Sequence, residues 1–163
     1  MFIETSPFDD MLHNIAFIYD TFGEDNCSVM LVGDLNARTG KLSDFVEDDN
    51  TGLVDIDLLT NYYCSDSYLN RENEDIHVNA NGRLLIDFLK QSGLKISNGR
   101  VCGNKGCVTY VGVNGSSLVD YCLVSEHLLK TFKTFRNLGP NIVSDHCLLE
   151  FSILGNNDNW EEN

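Results

Sequence analysis

Apolar side chains recur at helical spacing through Phe8, Met11, Leu12, Ile15, Ile18, Tyr19 and Phe22, which predicts an amphipathic helix with one stripe facing a core. Ser6 suits its cap, Pro7 its first turn, and Asp9 and Asp10 the positive end of its dipole. After a polar turn at 23–26, residues 27–32 read Cys-Ser-Val-Met-Leu-Val, too apolar for a half-exposed strand and too short for a core helix. A buried strand is expected there. It stops at the loop 33–40, Gly-Asp-Leu-Asn-Ala-Arg-Thr-Gly. A second helix is predicted through Leu84, Leu85, Phe88 and Leu89, with Asn81 as its cap and Gly93 at its left-handed end, and a strand at 94–97 follows. Strands at 108–111 and 118–124 flank Asn114-Gly115, a dipeptide suited to a tight hairpin turn. Further strands are expected at 131–136 and 147–154, on either side of the Gly139-Pro140 breaker.

Between these elements, residues 43–75 are acidic and weakly periodic, with Arg71 as the sole basic side chain. This stretch reads as a surface insertion with one short helix at 55–63. The expected organisation is one domain over 1–155, carrying that insertion, and a polar tail at 156–163. With 163 residues, such a chain buries roughly 70% of its unfolded surface and needs neither disulfides nor a structural metal. No apolar run approaches the length of a membrane span, and the first residues lack the basic start and apolar core of a leader. An intracellular protein without a membrane partner is therefore expected. Four of the six cysteines lie inside apolar runs, where reduced core thiols are the expectation, and none has zinc-site spacing. The run Asp48-Asp49-Asn50-Thr51-Gly52 resembles part of a calcium loop, yet with Gly52 at the glycine position Leu58 stands where that loop needs a bidentate glutamate. The net charge of −14 argues, taken alone, against a phosphate-rich partner.

Three polar groups sit where predicted strands begin or end, the place at which α/β folds present ligand-contacting residues. They are Asp34 with Asn36, Asp120, and Asp145 with His146. Asp120 lies between Val119 and Tyr121 in an apolar run, and burying its carboxylate is costly unless a partner neutralises it. A histidine would serve, because a carboxylate fixes the imidazole tautomer and stabilises its protonated form. Each motif alone is also compatible with an ordinary turn rich in Asp, Asn and Gly.

The segments 32–40, Thr109-Tyr110 through Val119-Asp120-Tyr121, and Ser144-Asp145-His146-Cys147 resemble, in order and spacing, the endonuclease/exonuclease/phosphatase superfamily. The wording of 33–40, with Asn81-Gly82-Arg83-Leu84 leading a helix, looks most like the endonuclease domain of LINE-type retrotransposons. The resemblance implies a four-layer α/β sandwich with mixed sheets and flanking helices, and phosphodiester hydrolysis dependent on Mg²⁺ or Mn²⁺. On matching positions it makes Asp34 the group that orients or deprotonates water and Asn36 a donor near the scissile phosphate. His146 would stabilise charge on a non-bridging oxygen with Asp120 holding its ring, and Asp145 would lie beside the metal. Arg38, Asn36 and His146 become substrate-binding candidates.

The same resemblance implies that this chain is the C-terminal portion of such a domain, because the family's N-terminal half supplies a metal-binding glutamate and two further polar residues that have no match here. Negligible nuclease activity is therefore expected of the chain alone, since one lost preorganised donor removes about 10²–10³ in rate. One sheet face is expected to lack its cover, which favours self-association. DNA is the implied partner of an intact domain, with weak binding by this chain, to which Arg38, Lys41 and Arg83 could contribute. Two other readings fit the charge: a non-catalytic module that binds protein, and a phosphatase acting on a small phosphorylated substrate.

Overall fold

The structure, a computed structural model, describes residues 7–23, 27–46 and 70–155. The Ser6 cap, part of the 23–26 turn, the helix expected at 55–63 and the tail at 156–163 lie outside the described residues.

Helix α1 spans Pro7–Phe22 and α2 spans Ala80–Ser92. Strand β1 is Met30–Asp34, β2 Lys95–Ile96, β3 Tyr110–Gly112, β4 Gly115–Ser117 and β5 Asp120–Val124. A 3-10 turn at Glu126–Thr131 leads into β6, Phe132–Asn137, which pairs with β7, Leu149–Ile153. The strands form a three-stranded sheet in the order β1-β5-β2 and two hairpins, β3-β4 and β6-β7. Every described strand pairing is antiparallel, where a mixed sheet was expected.

Strand β5 is the axis of the core. Its side chains alternate between faces: Tyr121 and Leu123 join Phe8, Ile15, Leu85, Phe88 and Leu89 of the two helices, with Phe8 and Phe88 rings 5.7 Å apart. Cys122 and Val124 point the other way, into a second cluster with Val101, Phe135 and Phe151. Phe135 of β6 and Phe151 of β7 thus pack against the β5 side of that face, while Val32 of β1, opposite Cys122, stays exposed on it. The five described cysteines are free thiols, and burial pushes that of Cys122 up to about 11.

Three elements differ from the sequence reading for identifiable reasons. Strand β1 is an edge strand rather than a fully buried one, since β5 is its sole partner among the described strands, and Val32 remains 54% exposed. The 118–124 segment is not one hairpin arm. Residues Gly115–Ser117 pair with β3 around a two-residue turn at Val113-Asn114, after which the chain turns through Leu118-Val119 into the other sheet. The cap of α2 is Asn79 rather than Asn81: its side-chain oxygen accepts the Gly82 N–H, and the helix ends on Gly93 at φ 71°.

Parts of the described ends of the 43–75 stretch are interior, with Asp44, Phe45, Asn73 and Asp75 buried. Asp44 and Arg100 form a buried bidentate pair, with Nη1 2.6 Å and Nη2 2.5 Å from the two carboxylate oxygens. Arg71 donates to Thr39 Oγ1 and to the Gly40 and Leu42 carbonyls, which pins the loop after β1.

Candidate active site

The antiparallel register of β1 and β5 places Asp34 directly opposite Asp120. Like charges facing each other across a ladder destabilise it, so a cation belongs between them. His146 takes that position. Its Nδ1 lies 2.9 and 3.1 Å from the two Asp120 oxygens, and its Nε2 3.9 Å from Asp34 Oδ2. The hydrogen bond to Asp120 holds the imidazole pKa above its ordinary value; burial opposes the rise, and the charges of Asp120, Asp34 and Asp145 add to it. The ring also meets Tyr110 edge-on, with centroids 5.3 Å apart.

Local structure explains why these groups meet. Strand β3 reaches across to the segment before β7: the Val111 N–H donates to the Asp145 carbonyl, and the Cys147 N–H donates to the Thr109 carbonyl. Asn141 accepts the Val143 and Ser144 N–H groups and donates to the His146 carbonyl, while Ser144 Oγ accepts the His146 N–H. The backbone of Asp120 is clamped from both sides. Buried Thr109 Oγ1 accepts its N–H together with that of Val119, and Asn98 Nδ2 donates to its carbonyl. The Tyr121 hydroxyl lies 2.9 Å from the Ala37 carbonyl and 3.1 Å from that of Leu118, which ties the loop of Asp34 to the corner that precedes Asp120.

Asn36 sits at φ 48°, in the left-handed region that Asn tolerates better than most residues. Its N–H donates to Asp34 Oδ1 at 2.8 Å, and it is exposed beside the carboxylates. Arg38 is directed elsewhere: Nε and Nη2 donate to the buried Asp75 carboxylate at 2.8 and 2.6 Å. Asp75 also accepts the His77 and Leu118 N–H groups. Burial opposes ionisation of Asp75, but Arg38 and the two N–H donors outweigh it and hold its pKa below the ordinary value. Asp145 is exposed, and its carboxylate stands outside the cluster of Asp34, Asp120 and His146.

Ligand atoms of those three residues lie within 4.8 Å of one another. Two carboxylates suit a hard divalent cation such as Mg²⁺ or Mn²⁺, which is held through one or two carboxylates and water. The imidazole suits it less, because a hard cation prefers carboxylate, carbonyl and water oxygens to a ring nitrogen. The cluster thus fits such a metal through its oxygens.

Sequence reasoning named Asp34, Asn36, Asp120 and His146, and the structure brings them together. It missed Asp75, Asn79, Asn98 and Tyr121. Asn79 carried a legible signal, a cap residue ahead of the apolar positions Leu85 and Ile86. Asp75 carried none, since its partner Arg38 is 37 residues away.

The chain matches the model of the endonuclease-reverse transcriptase family over residues 1–150. Among solved structures it is similar to the endonuclease domain of TRAS1, a telomere-specific non-LTR retrotransposon, with a TM-score of 0.54 and 18% identity. The match covers 96% of this chain and 56% of that one, so the chain spans little more than half of the structure it resembles. That likeness establishes the fold: an α/β arrangement of helices and antiparallel sheets resembling the endonuclease fold. No curated protein matches. Among the described residues, no helix is long and apolar enough to cross a membrane. With its motifs, its fold and a match that runs from the first residue to 150, the chain belongs to the endonuclease-reverse transcriptase family.

Proposed function

We propose that this chain carries a catalytic face for divalent-metal-assisted phosphodiester hydrolysis of the retrotransposon-endonuclease type, and that alone it turns DNA over poorly. One observation carries the reading: the convergence of Asp34, Asp120 and a His146 whose ring is fixed by Asp120. Ordinary turns have no reason to set two carboxylates opposite each other and lay an imidazole across them.

The roles follow from charge and hydrogen-bonding capacity. Asp34, exposed, with Oδ1 accepting the Asn36 N–H and Oδ2 3.9 Å from His146 Nε2, accepts a proton from or orients an attacking water. His146, whose protonated form Asp120 favours, directs Nε2 toward negative charge growing on a phosphate oxygen. Asn36, exposed on the loop beside Asp34, would offer its side-chain amide as a donor. Asp34 and Asp120 would hold Mg²⁺ or Mn²⁺ through their oxygens, with Asp145 close by on the loop of His146. When bound, the metal supplies charge neutralisation at the phosphate and a lowered pKa for bound water.

Poor turnover is supported by the donor set. Among the described residues the cluster holds two aspartates and a histidine and no glutamate, a thin ligand set for Mg²⁺. Paramagnetic broadening of the NMR spectrum by Mn²⁺ tests the metal-holding role. Broadening should centre on Asp34, Asn36, Asp120 and His146, be reversed by excess Mg²⁺ and disappear in Asp34→Asn. Broadening centred elsewhere would contradict the assignment.

A further inference from the structure

The segment from Asn36 to Arg38 is held by one side chain that lies outside every motif named above. Asn79 Nδ2 donates to the Asn36 carbonyl at 3.0 Å, and Asn79 Oδ1 accepts the Arg38 N–H at 2.9 Å. The Asn79 N–H in turn donates to the Arg38 carbonyl at 3.1 Å. The same Oδ1 accepts the Gly82 N–H at 2.7 Å and so caps α2. One amide therefore joins the first turn of a core helix to Asn36 and Arg38 of the candidate catalytic loop.

Two neighbours reinforce the joint. Asn81 Nδ2 adds a second, longer bond to the Asn36 carbonyl at 3.3 Å. Gly82 lets the helix approach to direct contact: a Cβ there would lie 1.9 Å from the Arg38 carbonyl oxygen. Asn36 needs this support, because φ 48° is a left-handed conformation that a non-glycine residue keeps only when its surroundings hold it. The carbonyl that Asn79 grips belongs to that strained residue, and gripping it sets the direction in which the Asn36 side chain leaves the loop.

We infer that Asn79 is a positioning residue for Asn36, registering the candidate catalytic loop against α2 through separate donor and acceptor functions of one amide. What Asn36 does for substrate rests on the proposed hydrolase reading; the positioning itself does not. The decisive variant is Asn79→Asp. Aspartate caps helices as well as asparagine does and can still accept from Gly82 and Arg38. It loses the donor and presents a carboxylate oxygen to the Asn36 carbonyl.

In the full chain, Asn79→Asp is expected to keep the urea midpoint near that of the unaltered chain. The backbone and side-chain amide resonances of Asn36 should move or broaden, and hydrogen exchange at the Asn36 N–H should rise at least tenfold. Asn81→Ala, which leaves the cap untouched, should move the same resonances in the same direction by less. Unchanged Asn36 resonances in a folded Asn79→Asp chain would overturn the inference. If Asn79→Asp fails to fold, unchanged Asn36 resonances in Asn81→Ala would overturn it instead. Neither readout requires catalysis. Loop resonances that move in a chain showing no Mn²⁺ broadening at Asp34 would uphold the positioning role while removing the hydrolase reading.

Discussion

His146 concentrates the chemistry of the site in one ring. Its pKa is raised above 6.5 by the hydrogen bond to Asp120, assisted by the surrounding carboxylates. A histidine whose native pKa is raised stabilises the fold fully below its ordinary value, and that stabilisation is lost as pH rises through the native value. NMR titration of the His146 ring should therefore give a pKa above 6.5, and Asp120→Asn should bring it back toward 6.5. A ring that titrates at or below 6.5 in the unaltered chain would contradict the pairing. The identity of these two residues was legible in the sequence because a lone carboxylate in an apolar run needs a partner. That His146 also reaches toward Asp34 was not legible, since it depends on the strand register. Arg38 shows the opposite outcome. A conspicuous cation in a motif loop invited a substrate role, whereas the guanidinium is bound to Asp75.

At the scale of elements, the sequence announced helices and strands through periodicity but gave no sign of how they are joined. Helix α1 packs its predicted stripe from Phe8 to Tyr19 while Phe22, at the end of that stripe, is exposed, and the predicted strand at 94–97 is realised as Lys95–Ile96. The break at Leu118-Val119, which moves the chain from one sheet to another, has no periodic signature because both halves are apolar enough to continue. Tyr121 exploits that corner. Its hydroxyl spans the Ala37 and Leu118 carbonyls in the interior, and no other described side chain links those two segments through these carbonyls. Tyr121→Phe leaves the packing intact and removes the donor, so a loss of about 1–3 kcal/mol is expected from a buried unsatisfied carbonyl. Urea denaturation measures the loss, and hydrogen exchange should rise in the loop after β1 before it rises in α1. A stability equal to that of the unaltered chain would show that the strut carries nothing.

For the whole molecule, an acidic balance first suggested a chain indifferent to phosphate, and much of that excess lies in 43–75. Yet two acids at the ends of that stretch are structural. Burial disfavours ionisation of Asp44, but its bonds to Arg100 outweigh burial and leave its pKa below 3.8, and Asp75 is lowered in the same direction. Lowered carboxylates stabilise the fold above 3.8 and cease to do so as pH falls through their native values. The fold should hold at pH 5 and lose stability below pH 3.8, as circular dichroism can follow. Asp44→Ala should cost about 3–5 kcal/mol at neutral pH, because it strands a buried guanidinium. An acid-unfolding curve unchanged by that substitution would contradict the role of the pair. The central claim, that Asp34, Asp120 and His146 form a metal-assisted phosphodiester-hydrolysing face that works poorly by itself, is tested most directly by nicking of supercoiled plasmid DNA under excess protein. Trace nicking is predicted that requires Mg²⁺ or Mn²⁺ and is lost in Asp34→Ala and His146→Ala. Cleavage that survives EDTA or either substitution, or rapid multiple turnover, would contradict it.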